Sequence, residues 1–298
     1  MKKLFTLCAI CLLITCLLTA CGVSTKVLPS EKSTASSATV PLAETPAIQY
    51  EVRTNTLENA AFDDDETQLA HYVYDLPTLV AIRSDGTEIE TPVTAAEKVA
   101  KSRTETFNRR FEEWAEDSDF DSTVQAASED LAWRRESGME WMEGYEEELK
   151  FSAWQTEHLV SIAADYYSYT GGAHPNTALL SWNFDLDTGE FVTPIMLAKD
   201  DQAFLDGVKR EIIRQAGQTA RENGSLPQEY YLENYEDIAA EWANYAVSFD
   251  ENGMNVGFSP YEIACYAVGP QVFTISYETL SPWLSDTGRQ ALNLTAEQ

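Results

Sequence analysis

Positive charge is scarce in this 298-residue chain: 20 Lys plus Arg stand against 49 Asp plus Glu, a formal net charge of −29. A surface so acidic repels phosphate backbones and anionic headgroups, which argues against nucleic acid as a partner and against adsorption of the folded part to an anionic membrane. Its electrostatic complement is a cation. Histidine is scarcer still, with His71, His158 and His174 alone and no two at helical spacing. There is no H-E-x-x-H and, past the first twenty residues, no C-x-x-C, so a zinc site lacks its ligand set. A G-x-S-x-G elbow is also missing, which leaves a Ser-His-acid triad without its usual frame. Cys265, in the apolar run "EIACYAVG", reads as a packed, inert thiol.

What is abundant is carboxylate. The runs "DDDE" (63–66) and "DLDTGE" (185–190) offer oxygen ligands, but neither has the spaced D-x-D-x-D-G pattern of a calcium loop, and both read as solvated turns. No metal or other cofactor is expected. Paired carboxylates leave wall-glycan hydrolysis or ester cleavage open as an alternative, although nothing in the sequence selects a pair.

Long apolar runs are absent except at the start. Lys2 and Lys3 precede an apolar stretch from Leu4 to Leu18, too short to span a bilayer and laid out as a secretory signal peptide. Leu18, Thr19, Ala20 and Cys21 have the form of a lipobox, so residues 1–20 are expected to be cleaved and Cys21 to carry diacylglycerol. Two or more acyl chains would anchor the chain stably to the bacterial cell membrane, on its extracytoplasmic side. Cleavage takes the formal charge from −29 to −31 through loss of Lys2 and Lys3. It also removes Cys8, Cys11 and Cys16, so no intramolecular disulfide is expected. Residues 21–47, rich in Ser, Thr, Ala and Pro, read as a flexible tether.

Beyond the tether the pattern is α+β: antiparallel sheets in hairpin-linked runs packed against amphipathic helices, in two lobes, residues 48–143 and 144–298. Ile48 to Leu57 and "AHYVYDLPTLVAI" read as strands. Thr94 and Glu97 have capping-box spacing ahead of a helix whose Phe107, Phe111 and Trp114 form one stripe. Period two returns with Leu149, Phe151 and Ala153, then Val160 to Tyr166. Next, Ala178, Leu180, Trp182, Phe184 and Leu186 alternate with a wetter face of Thr177, Leu179, Ser181, Asn183, Asp185 and Asp187. A second helix is expected over about Asp201 to Ala220, ended by Gly224 and Pro227, and a shorter one in "YYLENYEDIAAEW". The last third reads as strands: "YAVSFD", "MNVGFSPYEIACYAVG" and "QVFTISYETL". Between two strands, "YYSYTGGAHPN" (166–176) must be a hairpin connection, and His174 reads as a turn residue in place of a catalytic base.

Two stretches carry a resemblance. Tyr167 to His174 forms Tyr-x-Tyr-x-Gly-Gly-Ala-His, and Pro260 to Gly269 forms Pro-Tyr-x-Ile-Ala-x-Tyr-x-x-Gly. Together they resemble the C-terminal extracytoplasmic domain of the RsiV anti-sigma family, and the preceding region is similar in order and length to the companion domain shared by RsiV and the deacetylase PdaC. The anti-sigma role is not implied, since no sigma-binding segment fits before Cys21. Deacetylase activity is not implied either, since that catalytic domain has no counterpart. The resemblance implies recognition: the outer domain in the RsiV family is a receptor for lysozyme, a small cationic protein. The expected role is therefore a non-enzymatic envelope lipoprotein that binds a lysozyme-like cationic protein or a peptidoglycan component. Candidate binding residues are Tyr167, Tyr169, Gly171, Gly172, His174, Tyr261 and Tyr266. A structural subunit of an envelope complex is a further alternative.

Overall fold

The computed structural model describes residues 48–294 other than 142 and 223–229. The leader, Cys21 and tether, together with Gly224 and Pro227, lie outside the described residues. Strands β1 (Gln49–Phe62) and β2 (Gln68–Ile82) form a long antiparallel hairpin. β1 is an edge strand, and Glu51, Arg53 and Glu58 along it discourage pairing with another chain. β2 alternates, burying Tyr72, Tyr74 and Leu76. The "DDDE" run makes the turn between them, and Arg135 pairs with Asp63 at 2.7 Å and Asp65 at 2.6 Å.

Helices α1 (Ala95–Glu116) and α2 (Phe120–Ser137) then lead to β3 (Tyr145–Gln155), which pairs in parallel with β2. A parallel neighbour needs a crossover of this length, so one pair departs from the all-antiparallel expectation. Strands β4 (Leu159–Tyr169), β5 (Asn176–Asp185) and β6 (Glu190–Phe191) complete a six-stranded sheet in sequence order. The sheet therefore runs unbroken across 143/144, where the sequence pattern divides the chain. Phe107 and Phe111 of α1 are buried against Phe184, Trp182 and Phe191, as their spacing predicts.

The start of α1 is set by the capping box: Thr94 Oγ1 accepts from the Glu97 amide at 3.1 Å while Glu97 accepts from the Thr94 amide at 3.2 Å. Arg83 also donates to Glu97 at 2.7 Å, and with the Val93 and Thr94 amides it holds the Glu97 carboxyl down at about 2. A lowered folded-state value contributes stability that is present above the ordinary carboxylate range and lost as pH falls toward the folded value. Between pH 4.5 and 2 the thermal midpoint of the native chain should therefore fall more steeply than that of Glu97→Gln. Parallel slopes in the two melting series would contradict this.

The second layer begins with α3 (Asp201–Glu222), which buries Phe204, Val208, Ile212 and Ala216. These pack on Trp242, Met254, Val256 and Ile275 in a core of their own. The second sheet is antiparallel: β7 (Ala246–Phe249), β8 (Gly253–Phe258) and β9 (Gln271–Ser276). Short helices α4 (Tyr235–Ala240), α5 (Tyr277–Leu280) and α6 (Asp286–Ala291) close its flanks.

The two sheets meet through Ser161 of β4 and through Ser181 and Asn183, which the alternation places on the wetter face of β5. The Phe249 amide donates to Ser161 at 2.7 Å, the Val247 amide to Ser181 at 2.7 Å, and Asn183 donates to the Val247 carbonyl at 2.8 Å. Ser161 and Asn183 are buried. The result is a polar seam that satisfies the free edge of β7. The described residues form one compact unit. Among the described residues no helix is long and apolar enough to cross a membrane.

Candidate functional site

The two family-like motifs, distant in sequence, converge. β4 runs through Tyr169 and β5 restarts at Asn176, so the Gly-Gly segment is the connection that the pattern requires. Gly171 adopts φ +79°, and a Cβ there would stand 3.1 Å from the Tyr145 ring and 3.2 Å from Asp130. Only glycine fits both constraints. Arg134, itself paired with Asp130 at 2.9 Å, reaches the Gly171 carbonyl at 3.4 Å, and Tyr169 donates to the Gly172 carbonyl at 3.2 Å. The turn is thus held from α2 on one side and by its own tyrosine.

The second motif is not the strand that the sequence pattern suggests. After β8 ends at Phe258 the chain forms a compact loop, and residues 266–268 make a 3-10 turn closed by Gly269 at φ +70°. Ile263 and Ala264 are buried and act as the anchor, while the Leu232 amide donates to the Ile263 carbonyl at 3.1 Å. Tyr261 sits at φ +72° and is 59% exposed. Burial of two adjacent residues is not the period-two pattern of a strand, and the positive φ at Tyr261 turns the chain instead.

At the junction the His174 ring stacks on Tyr266 with centroids 4.0 Å apart, and Tyr261 stacks on Tyr266 at 5.4 Å. Tyr266 donates to the Pro175 carbonyl at 3.0 Å, and His174 Nδ1 lies 2.8 Å from the same oxygen. The imidazole is therefore one leaf of an aromatic stack. His71 and His158, by contrast, pair with Glu58 at 3.0 Å and Asp187 at 2.8 Å. Tyr167 does not join the stack: it borders a small acidic hollow with His71, Glu146 and Glu148. Burial, together with the charges of Glu143 and Glu148, pushes the Glu146 carboxyl up.

Sequence reasoning missed a cleft of about 860 Å³ between the sheet and the α1–α2 corner. Tyr72, Tyr74, Trp114, Tyr145 and Tyr166 supply its aromatic walls, and Glu147 of β3 projects into it. Tyr74 donates to Glu147 at 2.5 Å and contacts Ser118 at 2.9 Å, while Tyr72 donates to Thr123 at 2.5 Å. Burial, reinforced by the Glu147 carboxylate, pushes the Tyr72, Tyr74 and Tyr166 hydroxyls up, so they remain donors at any physiological pH. The signal available in sequence was the pairing of a tyrosine alternation in β2 with Trp114. Without α2 in place there was no opposing wall to find.

The remaining candidates resolve into structure. Asp185 caps its own turn by accepting from the Asp187 and Thr188 amides at 2.7 and 2.8 Å. No group of three or more metal-ligating side chains occurs among the described residues. Cys265 is a partly buried free thiol.

Comparison with known proteins agrees with this architecture. The model of a family described as "Deacetylase PdaC" matches residues 65–177, and that of a protein family of unknown function, DUF3298, matches residues 197–278. The first match lies within the six-stranded sheet and its helices; the second covers α3 and the three-stranded sheet. No curated protein matches the chain. A crystal structure of a DUF3298 family member from Bacteroides fragilis is similar at 14% identity with a TM-score of 0.56, over 85% of this chain and 99% of that one, which shows the shared fold. A DUF3298 family protein from Pseudomonas aeruginosa is 15% identical over 80% of this chain and 96% of that one, with a TM-score of 0.47.

Proposed function

We propose that this chain, which carries a PdaC-type domain followed by a DUF3298 domain as RsiV-like proteins do, is a non-enzymatic receptor module of the bacterial envelope. Its partner is a cationic protein of the lysozyme type, and its anchor is a diacylglycerol on Cys21. The observation that carries the reading is the meeting of the two motifs in one stack of His174, Tyr266 and exposed Tyr261. Tyrosine presents a large contact area at little conformational cost, and a stack fixed by a clamped turn is preorganised for docking. A net charge of −29 adds long-range attraction for a cation and raises the encounter rate.

Calorimetric titration of residues 48–298 with lysozyme at low ionic strength is expected to give saturable binding that weakens as salt shortens the screening length to about 8 Å. No heat with lysozyme would overturn the reading, and saturation by muropeptides alone would move it to a wall component. The anchor is tested apart from the partner. Cys21→Ala should abolish incorporation of labelled fatty acid in the producing cell, and undiminished labelling would remove the lipid from the account.

A further inference from the structure

We infer that the cleft between the six-stranded sheet and the α1–α2 corner is a second binding site, one that takes a lysine or arginine side chain of a basic peptide segment. The inference rests on the reading of the chain as a receptor for a cationic partner, but it concerns a surface built from different residues. Three observations point to a cation. The cleft residues include three carboxylates, Asp117, Asp119 and Glu147, and none of the lining residues is basic. Glu147 is held by neutral donors and not by a counter-ion: Tyr74 donates to it and the Tyr72 and Tyr166 hydroxyls also bond to it, so its charge is unbalanced and the acceptor capacity that remains is open to a cationic ligand. The half-buried Trp114, Tyr145 and Tyr166 supply aromatic wall against which the methylenes of a long basic side chain can lie, backed by the nearly buried Tyr72 and Tyr74.

Other ligand classes fit less well. A sugar would need a flat, open ring to stack on, but Tyr72 and Tyr74 are only 2% and 4% exposed and Trp114 packs edge-on against Tyr74 and Tyr166. An anion could be drawn by the N-terminus of α2. That end is already capped by Asp119, which accepts from the Ser122 amide at 3.1 Å and the Ser122 hydroxyl at 2.6 Å. The volume of about 860 Å³ admits several residues of peptide and not merely one side chain.

The test uses the full chain in detergent and three probes: acetylated, amidated pentalysine, the matching pentaglutamine, and chitotetraose. Pentalysine is expected to bind, and Glu147→Gln should weaken it at least tenfold, while Asp237→Asn, which removes one exposed charge on α4, should weaken it less than twofold. Ala126→Lys, on the exposed side of α2 at the cleft, supplies a tethered ammonium and should compete with the probe to the same extent as Glu147→Gln; it guards against a Glu147→Gln chain that does not fold. Equal losses in Glu147→Gln and Asp237→Asn, unchanged binding in Ala126→Lys, equal binding of pentaglutamine, or Glu147-dependent binding of chitotetraose would each overturn the inference. Lysozyme binding that survives while pentalysine fails removes the cleft site alone. Pentalysine captured by the cleft of a chain that ignores lysozyme removes the lysozyme reading alone.

Discussion

Replacing Phe107 by alanine is expected to lower the unfolding free energy by about 3–5 kcal/mol, the range for truncating a fully buried aromatic side chain. Phe107 is 0% exposed and lies within ring-contact distance of Phe111, Phe184 and Phe191. Those partners sit on three elements, α1, β5 and β6, so a cavity at this point cannot be closed by one side chain turning. The loss reaches function as well, because the same helix carries Trp114 into the wall of the cleft. Urea unfolding of residues 48–298 followed by tryptophan fluorescence measures it. A cost below about 1 kcal/mol would show that α1 is not docked by this stripe.

Tyr266→Ala should reduce lysozyme affinity by tenfold or more, with a much smaller effect on stability. Tyr266 is partly buried and holds both neighbours: it stacks on His174 and on Tyr261, which also approach each other to 6.5 Å, and its hydroxyl fixes the Pro175 carbonyl. Removing it frees two exposed rings at once, so the chain must order them on binding. Tyr266→Phe keeps the stack and loses one hydrogen bond, and it should cost only a few-fold in affinity. Calorimetry on the two variants separates the stack from the hydroxyl; equal affinities for native chain and Tyr266→Ala would take the motif junction out of the interface.

Elements whose own residues carry a strong period were legible in the sequence. The capping box at Thr94 and Glu97, the stripe of Phe107, Phe111 and Trp114, the helix from Asp201 and the hairpin around the Gly-Gly turn all stand where the pattern puts them. Helix α2 was not legible, because it buries only Ala127 and Leu131 and shows almost no apolar face. Its stability comes from the Asp119 cap, the left-handed Gly138 at its end and its tertiary contacts. The seam was misread for a related reason. Ser181 and Asn183 look like solvent-facing residues, and only the three-dimensional arrival of β7 makes them its hydrogen-bond partners. The run around Tyr261 reads as strand in the sequence, but Ile263 and Ala264, adjacent in the chain, are both buried, which period two does not allow, and Tyr261 at φ +72° breaks the extended backbone.

Of the candidate site, sequence supplied His174, Tyr261 and Tyr266 but not their contact, since His174 lies 87 positions from Tyr261 and 92 from Tyr266 along the chain. Tyr167 was grouped with them by motif, and strand parity sends it to the acidic hollow beside His71 and Glu146 instead. The aromatic cleft was invisible because its walls come from β2, β3, β4 and two helices.

If the partner docks at the motif junction, photo-crosslinking should capture it there. A benzophenone amino acid placed at position 261, and separately at exposed position 99 on α1 as a control, would be irradiated with lysozyme. The account predicts a lysozyme adduct at 261 that excess unlabelled chain competes away, and little at 99. Equal adducts at both positions, or none at 261 under conditions where calorimetry shows binding, would contradict it.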